Sequence, residues 1–145
     1  MDDQAVGISA LEAMPLFAGV TQHDLQNIVR IGELRSFEQG QSIVEKGEQG
    51  DAMYIILRGT GEVDVGGRQH KLEPGQFFGE MALVAGRKRM ATVKAADRVD
   101  ALRIGSEDFQ GFLLQQPRVA VAMLKSLVER LREVQERIDS WAGAW

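Results

Sequence analysis

The chain has 145 residues, 44% of them apolar and 26% charged, enough for one domain with an unstapled hydrophobic core. A net charge of −4 with no basic stripe argues against a nucleic-acid binder. The absence of cysteine excludes a disulfide scaffold, a thiolate metal site and a cysteine nucleophile. The acidic start Met1-Asp2-Asp3-Gln4 lacks the basic n-region and apolar core of a signal peptide. No apolar run approaches the ~18 residues of a membrane span, so the expected location is cytoplasmic, with no membrane contact by this chain itself.

Residues 1–32 are expected to form an N-terminal helical segment. Leu11, Met14 and Leu16 precede a stretch in which Leu25, Ile28 and Val29 recur at helical spacing, with Thr21 as its N-cap. Glycine, 16 of 145 residues, is concentrated between Gly32 and Gly86. Short alternating segments lie among these glycines: Glu33–Phe37, Ser42–Glu45, Met53–Leu57, Glu62–Val65 and Gln69–Leu72. Two more candidates follow, Ala91–Ala95 and Val99–Ile104. Turn signals every ~8–12 residues predict an antiparallel sandwich or barrel, a β-roll of about eight strands over residues 33–105.

Residues 106–140 read as two C-terminal helices. Ser106 is expected to cap the first, with Glu107 and Asp108 in its opening turn and Phe109, Phe112 and Leu113 as its apolar face. Pro117 suits the first turn of the second, which runs to about Ser140 and leaves a tail over 141–145. Val121, Leu124, Val128, Leu131 and Ile138 form a stripe on this last helix, opposite Lys125, Glu129, Arg132, Glu133 and Glu136. Such a stripe fits packing on the roll or pairing with a second copy or an effector domain. The whole is an α+β chain: an eight-stranded antiparallel jelly roll flanked by N-terminal helices and two C-terminal helices.

The chemistry concentrates between Gly75 and Val93. Gly79-Glu80-Met81-Ala82-Leu83 follows the apolar pair Phe77-Phe78 and has the composition of a short helix. A helix N-terminus binds anions through its unpaired N–H groups, and a glycine there lets a ligand approach closely. Glu80 would be repelled by a phosphate but can accept from a neutral hydroxyl such as that of a ribose. Arg89, nine residues later, offers the planar fork that suits a phosphate. A surface loop with an ordinary salt bridge fits the same spacing, and Arg87-Lys88-Arg89 taken alone reads as a solvated turn.

The run Phe78-Gly79-Glu80-Met81-Ala82-Leu83 … Arg89-Met90-Ala91-Thr92-Val93 resembles the phosphate-binding cassette of cyclic nucleotide-binding domains, placed here at 78–93. The upstream run Gly47-Glu48-Gln49-Gly50-Asp51-Ala52-Met53-Tyr54-Ile55-Ile56-Leu57-Arg58-Gly59 resembles that family's glycine-punctuated hairpin. The resemblance covers roughly residues 10 to 138 and is closest in pattern to bacterial channel-type and catabolite-activator-type domains. It implies cAMP or cGMP as ligand rather than a cofactor. It also implies roles: Glu80 accepts from the ribose 2′-hydroxyl, and Arg89 pairs with the cyclic phosphate beside the backbone N–H groups of Gly79, Ala82 and Ala91. Phe78 and Met81 belong to the cassette, Val63 touches the purine, and Arg130 covers the base from the last helix. A solvated helix position is the plainer reading of Arg130. Met90 stands where several cGMP-selective relatives carry threonine; a thioether donates nothing to guanine, which leans the expectation toward cAMP.

Other classes find less support. His23 and His70 are too far apart in the chain for an H-x-H metal site, and no G-x-S-x-G elbow appears, so no catalytic or metal residues are expected. The chain ends at Trp145, which leaves no room after the long helix for a DNA-reading module. The expected function is a cyclic nucleotide sensor whose C-terminal helix moves on binding. The alternative is a ligand-free interaction or dimerisation module on the same fold.

Overall fold

The computed structural model describes residues 3–14, 17–65, 67–79 and 88–142; of residues 3, 4, 65, 126, 130 and 139–142 it describes the backbone alone. Two helices, α1 (Asp3–Glu12) and α2 (Gln22–Ile31), precede eight strands. These are β1 (Glu33–Phe37), β2 (Ser42–Val44), β3 (Ala52–Arg58), β4 (Gly61–Val65), β5 (Arg68–Leu72), β6 (Phe77–Phe78), β7 (Val93–Ala95) and β8 (Val99–Gly105). Helices α3 (Ser106–Gln115) and α4 (Pro117–Ala142) follow. The strands form two four-stranded antiparallel sheets, β1-β8-β3-β6 and β2-β7-β4-β5, which face each other as a jelly roll. The eight-stranded roll expected from turn spacing is therefore present.

Alternation along β3 explains how one strand serves two cores. Six consecutive residues, Ala52 to Leu57, are buried. Successive side chains point to opposite faces of a strand. Ala52, Tyr54 and Ile56 accordingly join Phe37, Val93, Val99 and Ala101 inside the roll. Met53, Ile55 and Leu57 join Leu11, Leu25, Ile28, Phe109 and Phe112 in a second core beneath the helices. Strand β8 divides in the same way, Val99 and Ala101 inward, Leu102 and Ile104 toward the helices. A run with no polar member is the expected signature of a strand covered on both faces.

Local signals set the helix boundaries. Thr21 caps α2 as predicted, its Oγ1 accepting from the Asp24 N–H at 3.2 Å, worth about 1 kcal/mol. Ser106 does not cap α3. The N-cap is Gly105, whose N-terminal neighbour on the chain still belongs to β8, and Ser106 is already helical, donating its N–H to the Asp51 carbonyl at 2.9 Å. Pro117 opens α4 in its first turn as expected. The α3–α4 junction is tied to α2 by Gln116, whose Nε2 donates to Asp24 Oδ2 at 2.7 Å.

Among its described side chains, helix α4 is buried only over about its first two turns. Val119 and Met123 are buried in the helix-side core, but the stripe residues Leu124, Val128, Leu131 and Ile138 are 48–60% exposed. Of the two fates open to that stripe, packing on the roll is not the one adopted in this conformation.

Candidate functional site at the mouth of the roll

Two chain segments converge at the open end of the interior core. The first is the turn ahead of β7. Arg89 sits four residues before β7, clamped to the loop after β2. Its N–H donates to the Glu48 carbonyl at 2.7 Å, and its carbonyl accepts from the Gly47 N–H at 2.9 Å. An isolated bridge, Gln49 to Lys88, and a bond from the Lys46 N–H to Thr92 Oγ1 at 2.9 Å complete the clamp.

The second segment is β6, two residues long. Its register sets Phe78 directly across from Tyr54, and the two rings stack with centroids 5.3 Å apart and planes 9° from parallel. Gly79 follows at φ +83°, a conformation that side chains rarely adopt. A Cβ there would stand 2.6 Å from Arg89 Nη1 and 2.9 Å from the Ala52 carbonyl oxygen. The glycine is thus required twice, by its dihedral and by the Ala52 carbonyl lying against it.

The Arg89 side chain crosses from one segment to the other. Nη2 donates to the Ala52 carbonyl at 2.8 Å, and Cζ lies 5.9 Å from the centroid of the Tyr54 ring. A guanidinium carries five N–H donors. This one is half-buried at the roll's rim, a setting in which an anion would meet an oriented, partly desolvated cation. Behind it, Val63, Leu72 and Phe78 are partly buried against the interior core. The rim therefore sets a cationic fork beside the stacked Tyr54–Phe78 pair.

The sequence-derived residues fall into three groups. Phe78, Gly79 and Arg89 meet around Tyr54 at this mouth, while Val63 lies on β4, partly buried against the interior core. Ala91 is half-buried in the same turn, whereas Met90 is 71% exposed. Glu80, Met81 and Ala82 lie outside the described residues, and Arg130 lies on α4 with its side chain outside them. Sequence reasoning passed over Tyr54 and the Ala52 carbonyl. Strand alternation was the available signal, because it puts both on the face shared with Ile56.

A separate concavity of about 670 Å³ is bordered by Lys46, Glu62, Asp64 and Lys94. Glu62 and Asp64 alternate with the inward Val63, so their charges sit on the outer face of the second sheet. Among the described residues its border carries two lysines and two carboxylates and no arginine. Among the described residues no group of three or more His, Cys, Asp or Glu could hold a metal, and no helix is long and apolar enough to cross a membrane.

The family model of the cyclic nucleotide-binding domain matches residues 34–116, from β1 through the end of α3. The chain belongs to that family. A cyclic nucleotide-gated potassium channel of Mesorhizobium japonicum is 39% identical over 118 residues, covering 81% of this chain and 33% of the channel. The cyclic AMP receptor protein of Thermus thermophilus is 28% identical over 135 residues, covering 89% of this chain and 62% of that protein. The crystal structure of the Thermus thermophilus catabolite activator protein superposes with a TM-score of 0.79 at 28% identity, over 88% of this chain and 63% of that one. The chain spans about a third of the length of the channel relatives it matches. The matched range takes in every strand of the roll and Arg89 with it.

The position of Gly79 makes a direct prediction for the family fold here. Gly79→Ala must adopt a left-handed dihedral and push Arg89 aside, a strain of about 1–3 kcal/mol. Cyclic nucleotide affinity, measured by titration calorimetry, is expected to fall at least tenfold. Unchanged affinity would mean that the arginine and Gly79 are not part of one site.

Proposed function

We propose that this domain is a cyclic nucleotide sensor, binding cAMP in preference to cGMP at the mouth of the roll. The observation that carries the reading is Arg89, held half-buried between the Ala52 carbonyl and Gly79, a guanidinium with further donors to offer a cyclic phosphate. Glu80 would take the ribose hydroxyl and Val63 the purine face. The lean toward cAMP rests on Met90, which offers guanine no donor. Titration with cAMP and with cGMP tests the reading; no heat with either would sink it, and tighter cGMP binding would reverse the preference.

The output would be motion of α4. Among its described side chains only Val119 and Met123 are buried, and Leu124, Val128, Leu131 and Ile138 beyond or beside them are exposed. A ligand shifts such an equilibrium only through its differential affinity for the two arrangements. Contacts made when α4 swings over the base, Arg130 among them, would supply that difference. Truncation after Gln116 is then expected to weaken binding while leaving the roll folded, read by calorimetry alongside far-UV circular dichroism. Equal affinity with and without α4 would remove the helix from the mechanism.

The same exposed stripe favours a second reading, an interaction or dimerisation module. Light scattering with and without cAMP separates the two: a ligand-independent dimer together with no nucleotide binding supports the module.

A further inference from the structure

We infer that Tyr54 is a positioning residue for the phosphate-binding arginine, holding the Arg89 fork in a binding-ready orientation before any nucleotide arrives. This rests on the sensor reading above and adds a residue to it.

Three separate constraints fix the Arg89 guanidinium. One edge is tied by Nη2 to the Ala52 carbonyl at 2.8 Å. The other terminal nitrogen, Nη1, abuts the bare Cα side of Gly79. The third is the Tyr54 ring, 5.9 Å from Cζ to centroid, within the range at which the negative face of an aromatic ring attracts a cation. A single hydrogen bond leaves a long side chain free to rotate about that bond. The ring's attraction adds a second, independent hold on the group.

Tyr54 is suited to that task because burial and strand pairing hold it on both sides. It is 7% exposed, in the middle of β3, with β8 pairing it to Arg103 on one side and β6 pairing it to Phe78 on the other. The near-parallel stack on Phe78 fixes its ring plane. Phe78 in turn directly precedes Gly79, so the stack that orients Tyr54 also sets where Gly79 stands. Ala52, Tyr54, Phe78, Gly79 and Arg89 therefore form one contiguous set of contacts drawn from two strands and a turn. A fork ordered in advance loses less side-chain freedom on binding, and that saving appears as affinity.

The test uses the full chain and whichever of cAMP or cGMP it binds more tightly. Tyr54→Phe keeps the ring and is expected to bind within twofold of the unsubstituted chain. Tyr54→Leu keeps an apolar side chain but removes the π face, and is expected to bind roughly three- to thirtyfold more weakly. In an Arg89→Gln background the same Tyr54→Leu change is expected to cost less than twofold. An equal loss in both backgrounds, or no loss in either, overturns the inference. Nuclear magnetic resonance of the Arg89 side chain in the nucleotide-free chain gives a readout independent of folding of the Leu variant. Ring-current-shifted, slowly exchanging guanidinium signals are expected, and signals typical of a free arginine overturn the inference. If the unsubstituted chain binds neither nucleotide, the sensor reading fails while the resonance measurement still decides whether Tyr54 orders Arg89.

Discussion

Replacing Arg89 with alanine is expected to weaken cAMP binding by about 2–5 kcal/mol, roughly 30- to 5,000-fold. The range is that for truncating one partner of a desolvated charge pair, in which much of the cost is a phosphate left buried without its counter-charge. The fold itself should hardly notice. The described contacts of the side chain are one carbonyl bond and one ring face, while the backbone clamp to Gly47 and Glu48 needs no side chain. Arg89→Lys is expected to fall between the two, because an ammonium keeps the charge but cannot engage the Ala52 carbonyl and a phosphate through one planar fork. Calorimetric titration of the three proteins reads the series. An alanine variant that binds as tightly as the unsubstituted chain would remove Arg89 from the site altogether.

The largest expected loss of stability comes from Phe109→Ala, at about 3–5 kcal/mol. Phe109 is fully buried, stacks on Phe112 with centroids 6.0 Å apart, and fills the helix-side core with Leu11, Leu25, Leu102 and Ile104. Removing it leaves a cavity walled by both sheet and helices, which are too constrained to collapse into it. Five residues on, Leu114 is 84% exposed, and its replacement by alanine is expected to cost under about 0.5 kcal/mol. Urea unfolding of the pair checks the contrast: the Phe109 variant should show a lower midpoint with an unchanged slope. A loss under about 1 kcal/mol would mean that α3 is not anchored where its packing indicates.

Much of this architecture was legible because its signals are local. Turn residues punctuate the roll at regular intervals, and Thr21 and Pro117 mark helix starts by their own chemistry. Where reading the sequence fell short, the determinants were too short or too distant. Strand β6 has two residues, and its partner Tyr54-Ile55 lies more than twenty positions upstream, so Phe77-Phe78 looked like the approach to a helix. Helix α1 carries Gly7 and mixed polar and apolar residues with no clear stripe; it is held by tertiary packing, with Leu11 fully buried. The start of α3 was misplaced by one position because Ser106 has the right chemistry for a cap while Gly105 has the right backbone. At the site, Arg89 was visible through family resemblance alone, since spacing by itself fitted a salt-bridged loop equally well. Its partner Ala52 contributes a carbonyl 37 positions away, which no side-chain motif can announce.

The pairing of β1 with β8 has a topological consequence. Glu33 lies opposite Arg103, and the strands run antiparallel to Phe37 opposite Val99. The backbone therefore enters the roll from α2 and leaves it into α3 at the same edge, about seventy residues later but one strand-spacing away in space. Modules whose two ends meet like this can be spliced into a host polypeptide, or swapped between hosts, without prying neighbouring segments apart. At their opposite ends α2 and α3 are tied together again, Gln116 donating to Asp24, so the two helices that leave that edge are joined at both ends.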